Sequence, residues 1–314
     1  MKLLHFDDWK VGVLKGESVI DVTAVLGGAE PRERMRLLIA EFDRCRPQID
    51  AELARGKGVP LASVRVRAPL PAPRSIACMA VNYMEDGTRK EPAPINGFLK
   101  SPSAIIGNGE TMVLPDVPAT VFEGEAEMAV IIGARASRVP ANGAMRHVFG
   151  YMNFIDGSAR GLLPPGNTFF QMKSRDTFAP IGPYIVTADE IGDPHNLRVR
   201  LSVNGAVKQD FGTSDMAHKI PRCIEWVSSI FTLEPGDILA TGTNHRGLSA
   251  FQDGDLIELE TAGLGRLSVK VRDDLKRTWP RDTRLAHKEK GGEGDHAPQM
   301  SGKYARALAE GVRA

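Results

Sequence analysis

The sequence predicts an α+β protein that is mostly β. Short apolar or alternating runs, bounded by Gly, Pro and Asn, recur along most of its 314 residues. Helical spacing is confined to two substantial stretches, 33–56 and 221–232. Asn204-Gly205, between two β-like runs, is a strong hairpin signal. The length also suggests more than one domain and leaves ample chain to bury a core.

Residues 1–25 read as short strands, with Lys15-Gly16-Glu17 as a hairpin turn. Met35, Leu38, Ile39 and Phe42 then fall on one helical face. A proline-dense link, 69–73, closes a small N-terminal α/β domain over 1–70. The strand expected at 75–81 runs into Asn82-Tyr83-Met84-Glu85-Asp86-Gly87, a polar stretch that reads as a loop or lid as far as Pro94. Strand-like pieces follow at 98–107 and 111–115. An apolar approach at 147–155 ends in Asp156-Gly157-Ser158-Ala159-Arg160. Lys173 sits among apolar residues and prolines, where a partly buried amine needs a partner. Strands are expected again at 197–203, 238–243 and 253–259, around the helix at 221–232. A domain over 71–280 is thus followed by a charged tail, 281–314. Its Gly-rich start reads as a solvated linker, and 302–312 as a short peripheral helix.

Residues 122–133, Phe-Glu-Gly-Glu-Ala-Glu-Met-Ala-Val-Ile-Ile-Gly, carry the chemistry. Side chains two apart on a strand share a face, so Glu123, Glu125 and Glu127 align on one side, ahead of a continuous apolar run. Carboxylates entering a core repel one another unless something cationic sits among them. Mg²⁺ or Mn²⁺ suits a site of few carboxylates completed by substrate oxygens and water. A solvated acidic face is the competing interpretation.

Composition narrows the function classes. Forty basic residues against 39 acidic ones give no global field for nucleic acid or a membrane surface. Cys45, Cys78 and Cys223 are widely spaced, in no metal-ligand pattern, which fits a reducing compartment. The first ten residues carry charges where a signal peptide is apolar, and no run reaches membrane-spanning length. A cytoplasmic, soluble protein is the expectation. There is no phosphate-cradling glycine loop and no internal repeat.

Six pieces in order carry a resemblance: Glu125-Ala126-Glu127 with its apolar run to Gly133; Gly150-Tyr151 followed by Asp156 to Arg160; Lys173-Ser174-Arg175-Asp176 with Ala179-Pro180-Ile181-Gly182-Pro183; Asn204-Gly205; Leu233-Glu234-Pro235-Gly236-Asp237; and Thr241-Gly242-Thr243. From about 74 to about 275 the chain resembles the fumarylacetoacetate hydrolase superfamily, and its first 70 residues resemble the small extra domain of many members. The resemblance implies mixed β-sheets rolled around a central site, usually in a homodimer. It implies metal ligands at Glu125, Glu127 and Asp156, with Glu123 outside the matched register. It implies a small 2-oxo or 1,3-dicarbonyl acid as substrate, whose enolate the metal stabilises while a C–C bond breaks. Lys173 resembles the lysine beside that enolate, Thr243 the hydroxyl that holds the substrate carboxylate, and Arg160 and Tyr83 substrate-binding positions.

The departures are as specific. Where many members have a histidine and then a glutamate to activate water, this lid has Asp86 and Arg89. Gly161 replaces an aspartate, Leu162-Leu163 a glutamine, and Asn244 a proline. With the usual base missing, His245 is the expected general base, because imidazole titrates near neutrality, and Asp86 is expected to orient or replace it. C–C cleavage of an acylpyruvate-like acid is the first expectation. An isomerase, tautomerase or dehydratase on the same kind of acid is the second, and a non-catalytic homologue that kept the metal cradle is the third.

Overall fold

The structure is a computed structural model describing residues 1–166 and 169–309. The chain opens with strands β1 (Lys2–Phe6), β2 (Lys10–Lys15) and β3 (Ser18–Asp21), then helices α1 (Arg34–Ala40) and α2 (Phe42–Arg55). The single helix expected over 33–56 is therefore two, because Glu41 leaves helical geometry at φ −116°, ψ 25°. Met35, Leu38, Ile39, Cys45 and Ile49 are the buried side chains of the pair. Short strands β4 (Val59–Pro60) and β5 (Val66–Arg67) lead into β6 (Ile76–Ala80) and β7 (Asn96–Lys100), with the expected lid between these two. After β8 (Ile105–Ile106) and β9 (Thr111–Val113) come the two longest strands, β10 (Phe122–Ile132) and β11 (Val148–Ala159).

The second half adds α3 (Phe169–Lys173), β12 (Ala179–Thr187), the hairpin β13 (Arg198–Val203) and β14 (Ala206–Gly212), α4 (Ile220–Ile230), β15 (Ile238–Ala240), β16 (Leu256–Thr261) and β17 (Arg266–Arg272). Asn204 and Gly205 have φ of 52° and 80°, the paired left-handed geometry of a tight two-residue hairpin turn. The central path of the larger, twelve-stranded sheet runs β4-β3-β2-β1-β12-β11-β10-β15-β6-β7. The smaller sheet runs β14-β13-β16-β17-β9.

The N-terminal strands continue the larger sheet through antiparallel pairing of β1 with β12. β10 is buried along its whole length, as expected of a strand in the middle of a sheet covered on both faces. Its apolar half packs into the core, and its acidic half reaches the site. The tail departs from the solvated linker expected of it. Helix α5 (Arg284–Glu289) and its neighbours dock on the body: Arg284 pairs with Glu123, and His296 meets Thr120 at 3.1 Å. Helix α6 (Ala305–Ala309) falls within the expected 302–312 helix, and residues 310–312 lie outside the described residues. No helix among the described residues is long and apolar enough to cross a membrane.

Candidate metal centre and active site

Strands β10 and β11 bring the carboxylates together by register. Glu125 lies directly opposite Asp156 in the antiparallel ladder, and Glu127 follows two residues along the same face. Glu125, Glu127 and Asp156 each offer an oxygen within 4.8 Å of the others, and all three are buried. Glu127 Oε2 accepts the backbone N–H of Gly242 at 2.6 Å. Gly242 holds that N–H in place at φ 85°, where a Cβ would stand 3.0 Å from Cβ of Asn82.

The cations are distributed unevenly over these acids. Lys173 Nζ, at the end of α3, donates to Glu125 Oε1 and Asp156 Oδ2, both at 2.6 Å. Lys100 Nζ, at the end of β7, donates to Asp156 Oδ1 at 2.5 Å and to the Gly157 carbonyl at 3.0 Å. Arg160 bridges Glu125 and Glu123, and Arg284 closes on Glu123 with contacts of 3.1 and 2.6 Å. Glu127 forms no ion pair among the described residues, and its Oε1 is buried without a partner.

Protonation follows from that distribution. Burial raises the Glu127 carboxyl well above the usual range, and the neighbouring Asp156 and Glu125 charges push the same way. Burial works in that direction on Glu125 too, but Lys173 and Arg160 override it and hold Glu125 low. Glu123, likewise against its burial, is held at about 2 by Arg284 and Arg160. Burial works against the charge on Lys173, yet Asp156 and Glu125 keep its pKa above the ordinary value. Lys100, facing Asp156 but also the Lys173 charge, is lowered by burial. A carboxylate with a partnerless buried oxygen, beside two further carboxylates, fits a hard divalent cation with oxygen ligands. Glu125, Glu127 and Asp156 are the residues that would hold it.

The other expected residues divide. Lys173 lies among the carboxylates. Arg160 was expected on the substrate, but its guanidinium is committed to Glu123 and Glu125. Thr243 is turned inward: its hydroxyl donates to the Ala126 carbonyl at 2.7 Å and accepts from Gln209 Nε2 at 2.8 Å, so its proton is not offered to a substrate carboxylate. Tyr83 is fully buried, edge-on to Phe211 at 5.0 Å between ring centroids, and packs the base of the lid. Asp86 does not meet His245. It is exposed and pairs with Arg246 at 3.1 Å, because the turn points its side chain away from the imidazole. The acid that faces His245 is Glu85, whose Oε1 lies 2.6 Å from Nδ1. His245 and Glu85 line a cavity of about 580 Å³ together with Thr88, Arg89, Arg246 and Arg284.

Sequence reasoning missed Lys100 and Arg284. A lysine that ends a strand just before Ser-Pro reads as surface, and an arginine in a Gly-rich charged tail reads as solvated. Only the alternating Phe98-Leu99-Lys100 pattern hinted that Lys100 turns inward with every second residue.

Residues 75–272, more than half of the chain, match the model of the fumarylacetoacetate (FAA) hydrolase C-terminal family. A maleylpyruvate hydrolase from Aquipseudomonas alcaligenes is 32% identical over 291 residues, covering 87% of this chain and 99% of its own. A mitochondrial oxaloacetate tautomerase of Bos taurus is 37% identical over 226 residues, covering 68% of this chain and 71% of its own. Among solved structures, a maleylpyruvate hydrolase from Sphingobium sp. SYK-6, in complex with manganese(II) and pyruvate, superposes with a TM-score of 0.79 at 36% identity. That match covers 87% of this chain and 99% of the other. The mixed two-sheet architecture, the buried acidic triad and these matches agree, and the chain belongs to the fumarylacetoacetate hydrolase family.

Proposed function

We propose that the chain is a Mg²⁺- or Mn²⁺-dependent hydrolase that cleaves the C–C bond between the acyl carbonyl carbon and the methylene of an acylpyruvate-like acid. The observation that carries this reading is the unpaired, buried Glu127 beside Glu125 and Asp156, with Lys173 among them. A divalent cation bound there supplies Lewis-acid polarisation of the 2-oxo group. The chain's own residues do the rest. Lys173 Nζ places a positive charge where an enolate develops, and it carries a proton that can be delivered to the carbon released by cleavage. Lys100 braces Asp156 from the opposite side, so that carboxylate is oriented before substrate arrives. The burial of Glu125, Glu127 and Asp156 excludes bulk water and strengthens each of these interactions.

A second reading, isomerisation or tautomerisation of a 2-oxo acid, has its own support. The lid lacks the family's usual histidine and glutamate at Asp86 and Arg89, and one relative is an oxaloacetate tautomerase. Incubation with acetylpyruvate, maleylpyruvate and oxaloacetate, with and without Mn²⁺, separates the two. Metal-dependent release of pyruvate and a carboxylic acid supports the hydrolase, whereas an enol–keto or cis–trans change without cleavage replaces it with the second reading. No turnover of any member, with Mn²⁺ bound, sinks both. The three buried free cysteines support a reducing, cytoplasmic setting, and the family resemblance supports a homodimer, which sedimentation would test.

A further inference from the structure

The lid closes on the Thr241–Gly247 loop through one residue placed under backbone constraint. Glu85, Asp86 and Gly87 have φ of 56°, 54° and 76°, three left-handed residues in a row, of which only glycine adopts that region freely. The turn is pinned by its neighbours: Met84 and Asp86 N–H groups donate to Asp215 at 3.0 and 3.1 Å, and Asn82 Nδ2 donates to the Thr241 carbonyl at 2.9 Å. This aims the Glu85 carboxylate at His245 twice. Oε2 accepts the His245 backbone N–H at 2.9 Å, and Oε1 lies 2.6 Å from Nδ1. Glu85 is 7% exposed and therefore sheltered from competing water.

A carboxylate is an acceptor, so Nδ1 carries the proton and Nε2 keeps its lone pair. The charged groups around the ring are Glu85 and Arg89 from the lid, Arg246 from its own loop, and Arg284, Lys288 and Asp295 from the tail, all lining the same cavity. Glu125 of β10 acts on it through its field.

We propose that Glu85 is the positioning residue for His245, and that the pair rebuilds the missing water-activating dyad with the elements exchanged. The lid now contributes the carboxylate, and the loop after Thr243 contributes the imidazole. This rests on the hydrolase reading above. His245 Nε2 takes a proton from water as the water oxygen bonds to the acyl carbonyl carbon, whose π pair moves to its own oxygen. When that intermediate collapses, the C–C bond breaks and its electron pair passes into the enolate of the pyruvate half. The proton held at Nε2 returns to the enolate carbon through solvent or Lys173. The products are a carboxylic acid, which ionises, and pyruvate, and one water is consumed.

The test compares wild type, His245→Ala and Glu85→Gln on maleylpyruvate with saturating Mn²⁺, alongside Mn²⁺ affinity and circular dichroism. His245→Ala is expected to lower kcat about 100- to 10,000-fold, with partial rescue by added imidazole and loss of the acidic limb of the pH–rate profile. Glu85→Gln is nearly isosteric and is expected to fold. It should lower kcat with KM and Mn²⁺ affinity unchanged, because an amide can turn either its oxygen or its NH₂ toward Nδ1 and no longer fixes the tautomer. A merely structural Glu85 would not produce that split between kcat and KM. If wild type releases pyruvate and either variant keeps wild-type kcat and pH profile, the dyad is wrong and the hydrolase reading stands. If wild type binds Mn²⁺ but cleaves neither maleylpyruvate nor acetylpyruvate, the hydrolase reading falls first and takes this step with it.

Discussion

Two buried charge clusters touch the first half of the same strand, β10. At its start Arg277 and Asp273, both fully buried, are held by each other and by the backbone. Nε and an NH2 nitrogen of Arg277 meet the carboxylate at 3.0 and 2.9 Å, its two terminal nitrogens also donate to the Val117 and Pro115 carbonyls, and Asp273 accepts two backbone N–H groups. The guanidinium lies 4.6 Å over the Phe122 ring, where β10 begins. A few residues along the strand, three carboxylates crowd together and one keeps an oxygen with no partner. Burial is common to both clusters, so burial of charge is not what marks a site. The difference is completeness: every polar side-chain atom of the first has a partner, and the second leaves Glu127 Oε1 without one.

The largest effects should break the second cluster. Glu127→Gln and Asp156→Asn each remove one proposed metal ligand, so Mn²⁺-dependent turnover should fall on the order of 1000-fold. The melting temperature without metal should hold or rise for Glu127→Gln, because folding no longer has to protonate a carboxyl that is ionised in the unfolded chain. Full activity of either variant at low added Mn²⁺, after chelator treatment, would remove these residues from the metal centre. Next comes the first cluster. Arg277→Met strands Asp273 in the core and should cost about 3–5 kcal/mol in denaturant unfolding, while the folded fraction keeps wild-type kcat. Intact stability with lost turnover in the Arg277→Met variant would reverse the two roles.

Legibility in the sequence follows the same division. The acidic face and apolar run of β10 were readable because strand alternation is local, and the structure keeps Glu125 and Glu127 on one face. Asp156 joined them in the sequence through motif order alone, since register with β11 is a pairing between distant segments. What Glu85 and Arg284 reach could not be read. Each acts on a residue about 160 positions away, through a left-handed turn in one case and a docked tail in the other. Local composition placed Glu85 in a polar loop and Arg284 in a charged tail, and said nothing about what they reach.

An orphaned buried atom does not by itself make a site, and His5 is the control. It is fully buried in β1, its Nε2 has no partner, and Nδ1 is 3.4 Å from the Ala68 carbonyl. Burial lowers its pKa from 6.5 to about 4, with Ala68 opposing and Arg34 assisting. The folded ring therefore stays neutral while the unfolded ring protonates below 6.5. Stability is fully present above pH 6.5 and is lost as pH falls from 6.5 toward 4, by up to about 3 kcal/mol. Unfolding free energies measured across that window should show the slope in wild type and a flatter line in His5→Phe, with Mn²⁺ affinity equal in both. If His5→Phe loses metal binding, the contrast between a lone orphan and an orphan in company is lost.

The smallest effect tests where the metal centre ends. Glu123 shares the strand face of Glu125 and Glu127, yet it is held by Arg160 at 3.1 Å and by Arg284 at 3.1 and 2.6 Å, which turns it into the structural kind of cluster. Arg284→Gln removes two charged contacts and leaves the third, so Glu123 is not stranded as Asp273 would be. The expected loss is about 2 kcal/mol, below that of Arg277→Met, because Arg160 still neutralises the carboxylate. Helix α5 should loosen, since Arg284 is its inward anchor, and hydrogen exchange of the α5 amides should rise while β10 stays protected. Mn²⁺ affinity should change by less than about threefold, a shift worth under about 1 kcal/mol, because no proposed ligand has moved. If Arg284→Gln instead weakens Mn²⁺ as strongly as Asp156→Asn does, then Glu123 belongs with the ligands. The boundary between the complete and incomplete clusters would then lie one strand repeat further toward Phe122.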